Sequence, residues 1–591
     1  MKERYYVGLS ATFHDPAVAI VSPQGEVLFA EGVERYTQDK RGFQAPADHL
    51  LRMPALIKQY CAPDPELVVG ISFSEVCLRI YQAGGVTDLP PLQAVCERIA
   101  AFIDDRTYHK DHSWPWPTWK AMRALGRGSL LQAGAGLLAS RELGDAVKLR
   151  YYYHHLTHAM FACHGSPFGE AVCAVIDGYG EFGSTAFFSY RDGKLQLLHP
   201  RRSLRNLERA SLGFFYGLVC GLCGFDTLKG EEWKVMGLAP YGRHDPAIYE
   251  LLRPLLKVQG LQLVPGVSLA EEKRILKKLQ AMRRPPSAPP SEWADMAYTG
   301  QQVFGEVLRE LLQELHALGH SNNLVLSGGC ALNSSYNGRI LAETGFTALH
   351  VPSAPADDGN AVGAAMLAYL EDHPPAVRPS APLTPYLGSE ISAETRANVL
   401  RFNRSPLVRP LGDGVIEEMA RLLAEGKILG WMQGRAEYGP RALGNRSILA
   451  DPRDPNMKDR INGRVKFREE YRPFAPSILH EHGAEYFENY QMSPYMDRTL
   501  VFRPEVRDRV PAVVHEDGTG RLQSVTPQLN ERFYRLIEAF HRRTGVPILL
   551  NTSFNIMGKP IIHSVEDAVG LFYTTGLDAL VIDDILFEKE A

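Results

Sequence analysis

The chain predicts an α/β protein of two successive domains, and three observations predict it. Two strand-turn-strand units echo one another, the first over residues 4–30 and the second over residues 171–190. A Pro-dense run from Asp372 to Pro385 then interrupts the pattern, at a density that helix and sheet interiors do not tolerate. Beyond it, a helix ending near Gly426 and strands at Lys427–Met432 and Val546–Leu550 begin a new unit. The 591 residues, 45% hydrophobic and 22% charged, can bury two large cores at roughly 100 to 200 residues per domain. The boundaries read 1–371 for the first domain, 372–412 for a Pro-rich linker and 413–591 for the second domain.

Taken in order, the first unit reads as three short antiparallel strands, Tyr5–Ala11, Ala17–Val21 and Val27–Ala30, with a turn at Phe13-His14-Asp15-Pro16. The second runs from an apolar strand, Ala171–Ile176, through the turn Asp177-Gly178-Tyr179-Gly180-Glu181 to another strand ending at Tyr190. A third turn, Ser327-Gly328-Gly329, follows the strand Leu324–Leu326 and leads to Asn333. Residues 85–150 read as an insertion. Trp114, Trp116 and Trp119 stand there among prolines, and packing of a helical lobe explains them more simply than a surface lining an acceptor. Arg284–Pro290 reads as a surface loop.

Charge and composition exclude several classes. A formal net charge of -4 offers no electrostatic case for a nucleic-acid or membrane-surface partner. The start lacks the apolar core of a signal peptide and no run approaches 18 apolar residues, so a cytoplasmic protein is expected. The eight cysteines are scattered, and Cys220-Gly-Leu-Cys223 stands without a second pair, as core cysteines do.

Two constellations carry chemistry. His154 and His158 are four residues apart beside an apolar segment, so on a helix they share a face and can converge on one metal ion. The plain alternative is a pair of satisfied or surface histidines. The acidic pair Asp357-Asp358 supplies a carboxylate, and two His with one acid leave coordination positions open, which suits a catalytic metal. In the second domain Arg435, Arg441 and Arg446 alternate with Gly and Pro, followed by Lys466, Arg468 and Arg472 and by Ser553 and Asn555. Guanidinium forks match phosphate oxygens in pairs, so this density suits a compact, phosphate-dense ligand rather than a solvated face.

These segments together resemble the O-carbamoyltransferases of the nodulation-factor and antibiotic-tailoring type, such as those that act on tobramycin, cephamycins and ansamycins. The blocks stand in the family's order: Phe-His14-Asp15-Pro-Ala, Glu34-Arg35, His154-His-Leu-Thr-His158-Ala, Asp177-Gly-Tyr-Gly-Glu and Gly230-Glu-Glu-Trp-Lys234-Val-Met-Gly. After them come Gly328-Gly329-x-Ala-Leu-Asn333, Gly434-Arg-x-Glu-x-Gly-Pro-Arg441-Ala-Leu-Gly-Asn-Arg446-Ser, Arg472-Pro-Phe-Ala-Pro and Asn551-Thr-Ser-Phe-Asn555. The resemblance implies a duplicated actin/sugar-kinase/Hsp70-like ATPase fold, similar to the threonylcarbamoyl transferase of tRNA modification, followed by a YrdC-like α/β domain. It implies ATP and carbamoyl phosphate as co-substrates, Mg2+ with the ATP, and bound iron or a similar divalent metal. Carbamoyl-adenylate would form in the second domain, and the first would move the carbamoyl group to a hydroxyl of a small natural-product acceptor.

Residue roles follow from that likeness. His154, His158 and Asp357 match the metal ligands, with Asp358 left open as the alternative acid. Asp177, Gly178, Gly328, Gly329 and Asn333 fall on the nucleotide turns of the first domain. His14 is the candidate base for the acceptor hydroxyl, with Asp15 orienting it, against a plain turn role; Lys234 joins them as a candidate catalytic residue. Arg441 and Lys466 would act in adenylate formation, and Arg435, Arg446, Arg472, Ser553 and Asn555 would bind its substrates. Two rival classes remain at this level: a sugar-kinase-like phosphotransferase, and a nucleotide- and metal-binding module without group transfer. Transfer to tRNA is disfavoured by the net charge. The acceptor is not legible, and a homodimer is left open.

Overall fold

A computed structural model describes residues 2–11, 14–43, 45–49, 51–77, 133–139, 146–203, 205–374 and 383–589. Most of the 85–150 insertion, with its tryptophans, lies outside the described residues. The chain divides into two compact units. The first takes residues 1–33, 41–332 and 340–383; the second takes 34–40, 333–339 and 384–591.

The first unit is built on two five-stranded sheets of one topology. In one, β1 (Arg4–Ser10), β2 (Ala17–Val21), β3 (Val27–Gly32), β4 (Glu66–Ile71) and β5 (Val147–Tyr151) take the order β3-β2-β1-β4-β5. After the helix α1 (His154–His164), the other follows with β6 (Glu170–Gly180), β7 (Gly183–Arg191) and β8 (Lys194–Leu197). Then come α2 (Leu212–Leu222), α3 (Glu232–Leu238), α4 (Ala294–Ala317), β9 (Asn323–Ser327), β10 (Ala348–His350) and α5 (Asn360–Asp372). The second order is β10-β9-β6-β7-β8.

Each sheet has three antiparallel strands and two more added in parallel to the first of them. This is the duplicated ATPase fold that the strand echo predicts. Residues Ala171–Ile176 of β6 are wholly buried, which is why that strand reads as an uninterrupted apolar run. Helix α5 packs hard on the first sheet. A Cβ at Gly8 would stand 1.7 Å from the Ala361 carbonyl oxygen and one at Gly70 would stand 2.3 Å from that of Ala364, so only glycine admits the helix at this distance.

The second unit is an α/β domain on an eight-stranded mixed sheet. Its elements are α6 (Ala393–Phe402), β11 (Val408–Pro410), α7 (Val415–Ala424), β12 (Leu429–Met432), β13 (Arg446–Ala450), β14 (Ala475–Leu479), β15 (Gln523–Val525), α8 (Pro527–Thr544), β16 (Ile548–Ser553), β17 (Ala579–Ile582) and β18 (Ile585–Glu588). The sheet order is β11-β18-β17-β12-β13-β16-β14-β15. Met419 and Leu423 of α7, Phe533 and Phe540 of α8 and Trp431 of β12 lie in its core.

The expected linker needs correction. Residues 372–412 are not one linker, because Asp372 ends α5, the second unit begins at Thr384, and α6 and β11 lie within the stretch. Proline density marked the break between units but not its length. Among the described residues no helix is long and apolar enough to cross a membrane.

Candidate active site

Helix α1 opens on His154, and the i, i+4 spacing brings both imidazoles to one point. His154, His158, Asp177 and Asp357 are all buried and offer ligand atoms within 4.8 Å of one another. His154 Nε2 lies 3.2 Å from Asp177 Oδ2, and His158 Nε2 lies 3.3 Å from Asp357 Oδ1. The crossed separations are 3.6 and 3.7 Å. Asp357, not Asp358, belongs to this group, which answers the alternative the acidic pair left open.

Asp177, expected on a nucleotide turn, also lies within this group as a fourth candidate donor. Its Oδ1 accepts the Gly178 and Gly329 N–H groups at 2.8 and 3.1 Å, which leaves Oδ2 for the histidines. Gly178 and Gly329 thus orient a carboxylate, and Gly328, just before Gly329, has φ 87. Electrostatics fit a cation. Burial would lower the His154 imidazole, but the bond to Asp177 and the fields of Asp357 and Asp177 push it up to about 9. Burial would raise the Asp177 carboxyl, yet His154 and His158 hold it well below the usual carboxylate range. The group therefore recruits positive charge, and two nitrogens with two carboxylate oxygens make a donor set suited to a divalent transition metal.

Beside it, His14 Nδ1 lies 2.8 Å from Asp15 Oδ2 and 3.8 Å from Asp357 Oδ2. The same Asp15 oxygen accepts from Arg41 Nε at 3.2 Å and Nη2 at 3.0 Å. Burial would raise Asp15, but Arg41 and His14 hold its carboxyl well below the usual range. An ionised Asp15 is an acceptor only, so it orients His14 with the proton on Nδ1 toward it. Lys234 stands on α3. Its Nζ pairs with Glu231 at 2.8 Å and lies over the rings of Phe225 and Trp233. Asn333 caps the short helix that follows it, accepting the Tyr336 N–H at 3.2 Å, and clusters with the second unit rather than the Gly turns.

The second unit concentrates cations. Burial and the fields of Arg468 and Arg472 push Lys466 well below its usual pKa, and burial with Arg441, Arg468 and Arg472 does the same to Arg521. Burial pushes Arg441 down to about 10. Among the described residues, neither the Arg441 nor the Arg521 guanidinium makes a hydrogen bond or ion pair. Arg472 meets Glu469 at 3.4 Å, and Arg468 donates to Asn462 and lies over Phe474. Lys466 Nζ donates to Asn555 Oδ1 at 2.7 Å and to Ser553 Oγ at 3.3 Å, which joins the two polar residues of β16 and its exit to the cluster. Arg521 directly follows Gly518-Thr-Gly520, the same Gly-Arg signal that marked Arg435, and sequence reasoning missed it.

Two arginines expected to bind substrate donate to backbone carbonyls. Arg446 is fully buried and donates to the carbonyls of Gln433, Asn445, Gly434 and Ser389 at 2.6 to 3.2 Å. Arg435 donates to the carbonyls of Gly388 and Leu387. Removing the Arg446 guanidinium would strand four carbonyls, so Arg446→Ala should cost about 3 to 5 kcal/mol, read as a lowered denaturant midpoint.

Comparison with known proteins identifies the family. The family model described as Carbamoyltransferase N-terminus matches residues 91–366, and that described as Carbamoyltransferase C-terminus matches residues 420–589. Nodulation protein NolNO of Sinorhizobium fredii is 34% identical over 98% of this chain and 80% of its own. Nodulation protein NolO of Bradyrhizobium diazoefficiens is 38% identical over 74% of this chain and 78% of its own. The 3'-hydroxymethylcephem-O-carbamoyltransferase of Amycolatopsis lactamdurans is 30% identical over 76% and 82%. Solved structures are more distant: full-length HypF in its phosphate- and nucleotide-bound form covers 63% of this chain and 57% of its own at 11% identity and TM-score 0.36, so the sequence relatives carry the assignment. With both family models matched in order and relatives sharing most of its length, the chain belongs to the carbamoyltransferase family and is an O-carbamoyltransferase similar to these proteins.

Proposed function

We propose that the enzyme makes carbamoyl-adenylate from carbamoyl phosphate and ATP in its second unit and transfers the carbamoyl group to a hydroxyl of a small natural-product acceptor in its first. One observation carries the reading: Arg441, Lys466, Arg468, Arg472 and Arg521 lie together, and among the described residues no group neutralises Arg441 or Arg521. Such a group is completed by a ligand dense in phosphate. Water releases phosphate from carbamoyl phosphate to leave carbamate, whose oxygen attacks the α-phosphorus of ATP and expels pyrophosphate. Arg441 and Arg521 neutralise the charge that grows on the phosphates, while Ser553 and Asn555, already held by Lys466, orient the carbamate.

In the first unit the acceptor oxygen attacks the carbamoyl carbon, AMP leaves, and His14 Nε2 takes the hydroxyl proton. A divalent metal held by His154, His158, Asp177 and Asp357 would supply Lewis acidity toward the carbamoyl or phosphate oxygen. Iron is the expected metal from the family resemblance. Product analysis tests the whole reading. AMP and pyrophosphate formed only with carbamoyl phosphate are expected; ADP would favour the phosphotransferase, and no turnover with a broad panel of hydroxylated acceptors and no pyrophosphate exchange would leave a binding module.

His14 gives a separate test. In single turnover from preformed carbamoyl-adenylate, His14→Asn should slow transfer by about a hundredfold, the usual contribution of a positioned base. An unchanged rate at saturating acceptor would end its role as base.

A further inference from the structure

The turn joining β6 to β7 holds two residues, Gly180 and Glu181, that no step above uses. Glu181 is buried, and its backbone is left-handed at φ 49. Its carboxylate accepts four hydrogen bonds. Oε1 accepts the His154 N–H at 3.0 Å and the Ser74 N–H at 2.8 Å; Oε2 accepts the Ser74 hydroxyl at 2.7 Å and Arg201 Nη2 at 3.1 Å.

His154 is the first residue of α1, and Tyr153 before it provides no side-chain cap. The first N–H groups of a helix have no partner within it and form the positive end of its dipole. Glu181 thus caps, from a distant turn, the helix that bears both imidazoles. The same carboxylate ties that helix to the segment after β4 through Ser74. Arg201 balances its charge and lies over the Tyr153 ring at 4.4 Å, and the Tyr153 hydroxyl meets His155 Nδ1 at 2.9 Å, so the support continues beneath the helix.

Gly180 acts by size. A Cβ at this position would stand 2.2 Å from His154 Cδ2 and 2.9 Å from Nε2, so the imidazole reaches its place only because the residue has no side chain. Within five residues the chain therefore presents Asp177 Oδ2, clears the His154 ring and fixes the start of its helix.

The geometry points to Glu181 as a positioning residue that sets the separation of His154 from Asp177, and with it the affinity of the centre for a divalent ion. The inference rests on the metal-centre reading. An amide cannot replace this carboxylate: two donors face each oxygen, and the NH2 of glutamine would confront one of those pairs donor to donor.

The test uses the full-length protein, stripped with a chelator and titrated with cobalt(II). Chelator competition gives the affinity, and the visible d–d bands report ligand geometry independently of activity. Glu181→Gln and Gly180→Ala should each weaken cobalt binding about 10- to 100-fold, the usual effect of losing a partner behind a ligand. Both should shift the bands, and Glu181→Asp should restore part of the affinity. Carbamoyl-phosphate-dependent pyrophosphate exchange, a reaction of the second unit, should be unaffected. If Glu181→Gln does not fold, Ser74→Ala removes only part of the set and should still weaken binding several-fold. Wild-type affinity and bands in the folded variants would overturn the role of Glu181 while leaving the metal centre standing. A wild-type protein that binds no cobalt would instead remove the metal centre itself, and this inference with it.

Discussion

His158→Ala is expected to abolish carbamoyl transfer and empty the metal centre, while carbamoyl-phosphate-dependent exchange of pyrophosphate into ATP continues. His158 Nε2 is within 3.3 Å of Asp357 and 3.7 Å of Asp177, so its loss removes one of four buried donors and leaves two carboxylates facing each other. A site built from fewer donors and repelling acids holds a divalent ion far more weakly. Metal content by mass spectrometry and single-turnover transfer from preformed carbamoyl-adenylate read the two losses separately. Full occupancy in the variant would refute the ligand assignment. Lost exchange together with lost metal would show that the centre serves the adenylation step as well.

Arg441→Ala should reduce the exchange reaction about a hundredfold or more without unfolding the protein. A charge-assisted hydrogen bond to bound phosphate is worth about 1.5 to 3 kcal/mol, or roughly ten- to more than a hundredfold, before any strengthening in the transition state. Among the described residues the Arg441 guanidinium makes no bond, so its removal strands none of them, unlike that of Arg446 with its four carbonyl bonds. The pair separates ligand binding from scaffold: Arg441→Ala should keep a wild-type denaturant midpoint and lose exchange. Normal exchange in a folded Arg441→Ala enzyme would mean that the cation cluster is not the adenylation site.

Several of these features were open to reading without a structure because their physics is local. Strand echo, proline density and the His154/His158 spacing each depend on backbone periodicity, which the residue order carries directly. Both sheets of the first unit begin at strands that the residue pattern predicts, by alternation in the first and by an unbroken apolar run in the second. The density of arginine among glycine located the second cluster, although it could not say which arginines face a ligand. Arg435, Arg441 and Arg446 stand in one block, yet two bond to carbonyls and one does not.

By itself the sequence determined the α/β class, the two units and the family, since these follow from short-range pattern and ordered motifs. Only the tertiary structure decided how the candidate side chains come together. Asp177 meets both histidines because β6 ends beside α1, and Arg521 meets the other cations from a strand far along the chain from them. Glu181 caps a helix that begins 27 residues before it. Each of these depends on groups distant along the chain meeting in space, where burial and neighbouring charge set what a side chain can do, and residue order does not encode that separation locally.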